Sequence, residues 1–237
     1  NTAIALGALG RSLGYRVRVV LPQGCVPTIA DALALLQVEV MVCNSRAGMA
    51  GAIETAERVA TDLGAAAMRQ FSSAENLRVH YEDTGGELVA ALPRIDVFVA
   101  GIGTAGTIMG TGRRLREAHP KVRLVGVDPK MGERLQGLTN VEEGFAPPLL
   151  NLDFLDRRLL VDAATSLRAC QRLAAEEGVL AGVSGGACLH AALKEADRLE
   201  AGNVVFMCSD GGCKYLPTRP WDAAEARDER LDETHWW

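Results

Sequence analysis

Residues 96–107 read DVFVAGIGTAGT: an apolar run, a loop of glycines and threonines, and then a stretch that can continue only as helix. The run Asp96–Ala100 has the length and composition of a buried strand. A strand that feeds a glycine loop and then a helix is the first part of a β-α-β unit. The loop also carries chemistry. The first amides of a helix have no acceptor within it, and the positive end of the helix dipole lies at the same place, so a helix N-terminus opened by glycines is an anion site. Thr104 and Thr107 add hydroxyl donors, and a cofactor phosphate is the natural guest. The letters Gly101-x-Gly103-x-x-Gly106 also satisfy the dinucleotide fingerprint. Asp128, about 20 residues on, ends the next strand where a ribose-binding acid would stand. On these residues alone a phosphate cup, a dinucleotide site and a plain strand–helix turn are all open.

Outward from this unit, helix and strand patterns alternate along the chain. Helices are expected over 2–13, 27–36, 48–63, 72–92, 104–117, 164–177 and 184–199, and strands over 16–21, 38–43, 66–71, 96–100, 122–127 and 203–208. Residues 129–154 read as irregular, and Trp221–Trp237 as a charged helix ending in two tryptophans. Such alternation predicts an α/β fold: mostly parallel sheet with helices on both faces, in three layers. The helices lengthen and the pattern restarts near Ser72–Glu75, so two domains are expected, 1–73 and 74–237, the second carrying the C-terminal tail.

The composition excludes several classes. With 48% hydrophobic and 23% charged residues in 237, the chain is an ordinary globular sequence with a core to bury. No run approaches the ~18 apolar residues of a membrane span. The start, NTAIALGALGRSLG, lacks the pattern of a secretory signal. A net charge of −5 argues against a nucleic-acid partner, which requires a basic face. The cysteines (25, 43, 170, 188, 208 and 213) form no C-x-x-C pair and sit mostly in apolar runs. They read as free thiols in a reducing cytoplasm rather than as a zinc site or disulfide framework.

Three further stretches lie where ligands of parallel sheets bind, at the carboxyl ends of strands. In LAGVSGGA (180–187), Ser184 is either a bare helix cap or a neutral hydroxyl presented to a ligand. MCSDGGCKYLPT (207–218) is a strand running into a Gly-Gly turn, and in RQFS (69–72) Gln70 either meets a carboxylate or caps a helix.

Taken in order, these segments resemble the cysteine synthases (O-acetylserine sulfhydrylases) of the fold-type-II pyridoxal-phosphate enzymes, nearest the B-type branch. Asn1-Thr2 matches the asparagine–threonine that follows the family's substrate loop. Gln70-Phe71-Ser72 with His80 matches its QFS…H segment, Gly103–Thr107 its phosphate cup, Val183–Ala187 its serine motif, and Asp210–Thr218 the closing motif of the B-type branch. The resemblance implies two α/β domains with pyridoxal 5′-phosphate in the cleft between them. It implies that Asn1 bonds the cofactor's 3′-oxygen, that Gly103, Thr104, Ala105, Gly106 and Thr107 hold its phosphate, that Ser184 faces the ring nitrogen, and that Thr2 and Gln70 bind the amino-acid carboxylate. The implied reaction is β-replacement through an aminoacrylate, giving L-cysteine from an activated serine and a sulfur donor. The implied enzyme is a homodimer, and a sulfur-carrier protein is a candidate partner. Other activities of the same fold type (cystathionine β-synthase or S-sulfocysteine synthase) share these motifs, and an NAD-binding dehydrogenase remains the reading of the fingerprint alone.

The sequence departs from the family at three places, and its tail adds a further question. The family's Schiff-base lysine precedes its Asn-Thr motif, and none of Lys121, Lys130, Lys194 or Lys214 takes that position. No catalytic residue is therefore assigned within the chain, which is expected to be a fragment or to be completed by another segment. Ala105 stands where the family has glycine, and alanine resists positive φ, so an altered cup is expected. Relatives that use O-phosphoserine carry an arginine where Thr139 stands, which favours O-acetylserine, with Arg134 near enough to compensate. Trp221, Trp236 and Trp237 read either as core or dimer contacts or as a lid against water.

Overall fold

The structure, a computed structural model, describes residues 1–43, 48–143 and 145–219; the tail helix expected at Trp221–Trp237 lies outside them. It divides into two compact units, Asn1–Gln70 and one beginning at Phe71.

The first unit runs α1 (Thr2–Ser12), β1 (Arg18–Pro22), α2 (Pro27–Leu35), β2 (Glu39–Cys43) and α3 (Gly48–Leu63). Its strands pair in parallel, Arg18 opposite Glu39, and the core gathers Leu21, Ile29, Leu33 and Val38. The run 66–71, expected as a strand, is irregular. Arg69 has φ +45°, which extended backbone cannot accommodate, and its guanidinium chelates Glu57 at 2.7 and 2.8 Å.

The second unit contains α4 (Ala74–Val79), α5 (Gly85–Ala91), β3 (Val97–Gly101), α6 (Gly106–Ala118), β4 (Arg123–Pro129), β5 (Arg157–Val161), α7 (Ala163–Glu177), α8 (Val183–Ala196) and β6 (Val204–Phe206). The sheet order is β5-β4-β3-β6, all parallel. Side chains of a strand alternate between faces, and that period of two makes the three layers here. Val97, Val99, Val125 and Val127 face Ala187, Cys188 and Ala191 of α8, whereas Phe98, Ala100 and Leu124 face Ile108, Met109 and Leu115 of α6. Burying both faces requires a continuous apolar run, which is why Val97–Ala100 reads as one and is fully buried.

Three departures from the expected elements have local causes. The helix over 72–92 carries a π-turn at His80–Thr84, where α6 crosses it closely: a Cβ on Gly110 would lie 2.4 Å from the Leu77 carbonyl oxygen. β5 was not anticipated, because its two leading arginines mask a three-residue apolar run. Beyond β6 the Gly-Gly turn continues as a 3-10 segment, Gly212–Thr218.

Glu195 on α8 is wholly buried, and three arginines converge on it: Arg123 at 3.1 Å, Arg157 at 3.2 Å and Arg198 at 3.4 Å. Arg123 and Arg157 open β4 and β5, so this carboxylate ties α8 to the amino edge of the sheet. Removing one partner of a buried ion pair leaves uncompensated charge. Glu195→Ala is therefore expected to lower unfolding free energy by about 3–5 kcal/mol, read from urea denaturation followed by circular dichroism.

Candidate cofactor site

Gly103–Thr107 form the turn between β3 and α6 at the carboxyl edge of the sheet. Ala105 is the N-cap of α6 and has φ +67°. The left-handed conformation costs a non-glycine residue about 1–2 kcal/mol, and burying its methyl beside Ile108 and Met109 recovers about 0.8 kcal/mol. The alanine thus adopts a left-handed backbone that glycine would take without this cost.

Among the described residues, the amides of Gly103, Thr104, Ala105 and Thr107 meet no protein acceptor; that of Gly106 points to Thr104 Oγ1 at 3.2 Å. The glycines are dictated by close approach. A Cβ on Gly103 would lie 2.5 Å from the Gly137 carbonyl oxygen, and one on Gly106 would lie 2.1 Å from Asn76 Oδ1. Thr104 Oγ1 accepts from Asn76 Nδ2 at 2.9 Å as well as from Gly106, so both lone pairs are used and its proton is left to donate. Thr107 Oγ1 lies 3.1 Å from His80 Nε2, while His80 Nδ1 lies 2.9 Å from Thr84 Oγ1. Burial holds His80 below the usual imidazole range, so the ring is neutral at pH 7 and orients Thr107 without adding charge. Amides without protein acceptors, a helix dipole and two hydroxyls, in a turn whose positions 103 and 106 admit no side chain, fit a phosphate group.

Ser184 is the second residue of α8 and is buried. One turn on, the Cys188 thiol contacts the backbone of Gly101, the residue that ends β3, which sets the start of α8 beside the glycine turn. The second unit therefore brings Gly103–Thr107 and Ser184 to one edge. Asn1, Thr2 and Gln70 belong to the first unit: Asn1 caps α1, Thr2 begins it, both exposed, and Gln70 ends the unit.

Asp128 has no room for a ribose. It is fully buried, 3.3 Å from Arg158 Nε, and accepts from the Val141 amide at 3.4 Å; burial pushes its carboxyl up to about 6. It braces the connection after β4, in which the Thr139 amide donates to Ile102 and Leu138 covers Gly101. All six cysteines are free; Cys188 is buried, and Cys208 and Cys213 are exposed. Asn76 and His80 are functional neighbours without an assigned role in the sequence reading. His80 carried a motif signal, whereas Asn76 carried none, because its contact spans 28 positions.

The profile of the family described as "Pyridoxal-phosphate dependent enzyme" matches residues 1–210. A cysteine synthase of Staphylococcus aureus is 32% identical over 92% of this chain and 74% of its own length. Cysteine synthase B of Pseudomonas aeruginosa is 30% identical over 94% and 75%. The crystal structure of an O-ureido-L-serine synthase superposes with a TM-score of 0.86 at 31% identity, covering 97% of this chain and 75% of that one.

If the turn holds the phosphate, Thr104→Val removes a donor to a dianion and is expected to weaken pyridoxal-phosphate binding about 10- to 100-fold. Asn76→Ala removes only the bond that orients it and is expected to cost about three- to tenfold. Equilibrium titration followed by cofactor fluorescence measures both, and the order of the two is the informative result.

Proposed function

Because the chain belongs to the cysteine synthase family of pyridoxal-phosphate dependent enzymes, we propose that it forms L-cysteine from O-acetylserine and a sulfur donor by β-replacement. The observation that carries this reading is the turn Gly103–Thr107, an anion cup whose uncommitted amides face the same edge as Ser184. When bound, pyridoxal phosphate supplies the electron sink that lets a β-substituent leave.

The chain's own residues bind and orient. The amides of Gly103–Thr107 and the hydroxyls of Thr104 and Thr107 hold the phosphate, and the buried Ser184 offers a neutral hydroxyl to the ring nitrogen. A neutral partner leaves that nitrogen largely unprotonated and the sink moderate, which suits β-elimination. In this proposal Asn1 bonds the 3′-oxygen and Thr2 and Gln70 take the substrate carboxylate, so 1–73 and 74–237 act as the two domains flanking the cofactor. Thr139, in the place of a phosphate-binding arginine, favours the acetyl ester, and the exposed Arg134 adds no buried cation there. The reading places the enzyme in the cytoplasm as a homodimer, with free sulfide or a carrier-protein thiocarboxylate as donor. The similarity to O-ureido-L-serine synthase favours a second reading, in which a nucleophile other than sulfide is added.

None of the four lysines is assigned to the cofactor's aldehyde. Lys121 precedes β4 at the amino edge and Lys194 lies on α8, whereas Lys130 and Lys214 are engaged by Asp162 and Asp210.

Two outcomes are expected. Joined to a segment that carries the family's Schiff-base lysine and supplied with pyridoxal phosphate and sulfide, the protein forms cysteine faster from O-acetylserine than from O-phosphoserine, by chromatographic assay of the product; a preference for the phosphate ester refutes the substrate assignment. After borohydride reduction, peptide mapping finds the cofactor on none of Lys121, Lys130, Lys194 or Lys214.

A further inference from the structure

Gly182, the N-cap of α8, has no side chain because another segment occupies that space. A Cβ there would lie 1.9 Å from Asp210 Oδ1 and 3.0 Å from Tyr215 Cε2. The Gly182 amide donates to the Asp210 carbonyl at 2.9 Å, Gly212 donates to Leu180 at 2.9 Å, and Ala181 bridges Gly211. The segment 210–215 is thereby fastened to the start of the helix that carries Ser184.

The fastening holds an ion pair. Asp210 Oδ2 accepts from the Tyr215 hydroxyl at 3.0 Å and pairs with Lys214 Nζ, whose ammonium also lies 5.4 Å from the Tyr215 ring centre. Both charges are largely withdrawn from water, with side-chain exposures of 8% for Asp210 and 19% for Lys214. Charges so placed are weakly screened and act on groups nearby. Those groups are Cys170, whose thiol donates to the Gly182 carbonyl at 3.3 Å, and Cys208, beside Gly185, together with Tyr215. Burial raises all three, and the negative charge of Asp210 raises each further, Cys170 to about 11. Asp210, Cys170 and Cys208 thus all lie against the first turn of α8, at Gly182, Gly186 and Gly185.

We propose that the Asp210–Lys214 pair sets the proton affinity of the cofactor's ring nitrogen. Asp210 draws a proton toward the group held at Ser184, and Lys214 offsets that pull, so the pair fixes how strong an electron sink the ring becomes. This rests on the assignment of Ser184 to the ring nitrogen made above. Both residues are positioning residues, acting through the field at the helix start rather than by touching the cofactor. A strong sink would open reactions beyond β-replacement, so the balance bears on which reaction the site runs.

The test is the pH titration of the 15N resonance of ring-labelled pyridoxal phosphate bound to the protein. Lys214→Gln removes the cation beside Asp210 and is expected to raise the ring-nitrogen midpoint by about one pH unit, a tenfold rise in proton affinity. Asp210→Asn is expected to lower the midpoint, and the double variant to return it toward wild type. Tyr215→Phe, which keeps both charges, is expected to leave it in place. Should Lys214→Gln fail to fold, Asp210→Asn carries the test alone. Equal midpoints in wild type and the folded charge variants overturn the proposal. Ser184→Ala separates the two readings: if it leaves the resonance unmoved, the assignment of Ser184 fails, whereas if it moves the resonance and the charge variants do not, only the role of the ion pair fails.

Discussion

The turn between β3 and α6 leaves the amides of Gly103, Thr104, Ala105 and Thr107 without protein acceptors, and the contacts that close around it organise the rest of the second unit. Ala105 is left-handed at the start of α6, and Gly103 and Gly106 must lack side chains for Gly137 and Asn76 to close in. Each of these contacts recruits another element. Through Gly137 the turn holds the connection that follows β4, through Asn76 it holds α4, and through Thr107 it holds the π-turn at His80. A π-turn displaces helix register locally, and here it sets the imidazole against Thr107. The packing around the turn and the anion site proposed there are thus one arrangement.

Charge is divided between the two edges of the sheet. At the amino edge Glu195 is surrounded by arginines that are about one-third exposed, an arrangement that ties strands to a helix. At the carboxyl edge Asp128 serves as a brace under the loop, and Asp210 sits against the start of α8. The ligand side of the fold therefore combines fixed partial charges from two helix starts with the buried pairs Asp128–Arg158 and Asp210–Lys214. Neutral hydroxyls, from Thr104, Thr107 and Ser184, make the direct contacts in the proposed site.

Elements with strong periodicity were legible in the sequence; elements defined by contacts across it were not. The glycine turn, β3, α6 and Ser184 at a helix start follow from composition and local order. β5 was hidden because its arginines serve remote carboxylates, Glu195 and Asp128, which no local pattern can show. The apolar letters of 66–71 imitate a strand, but the turn at Arg69 and its pairing with Glu57 override them. The dinucleotide reading of Gly101–Gly106 and Asp128 matched spacing without burial, and the buried pairing with Arg158 removes it. Asn76 was invisible for the same reason as β5: its role is to meet a residue far along the chain.

In the proposed site the amides of Gly103–Thr107 receive the cofactor's phosphate. Backbone 15N–1H spectra of the protein, recorded with and without pyridoxal phosphate, test it most directly. The account predicts that the largest downfield amide shifts fall on Gly103, Thr104, Ala105, Gly106 and Thr107, and that pyridoxal without its phosphate fails to produce them. Shifts centred elsewhere, with the amides of this turn unmoved, would contradict it.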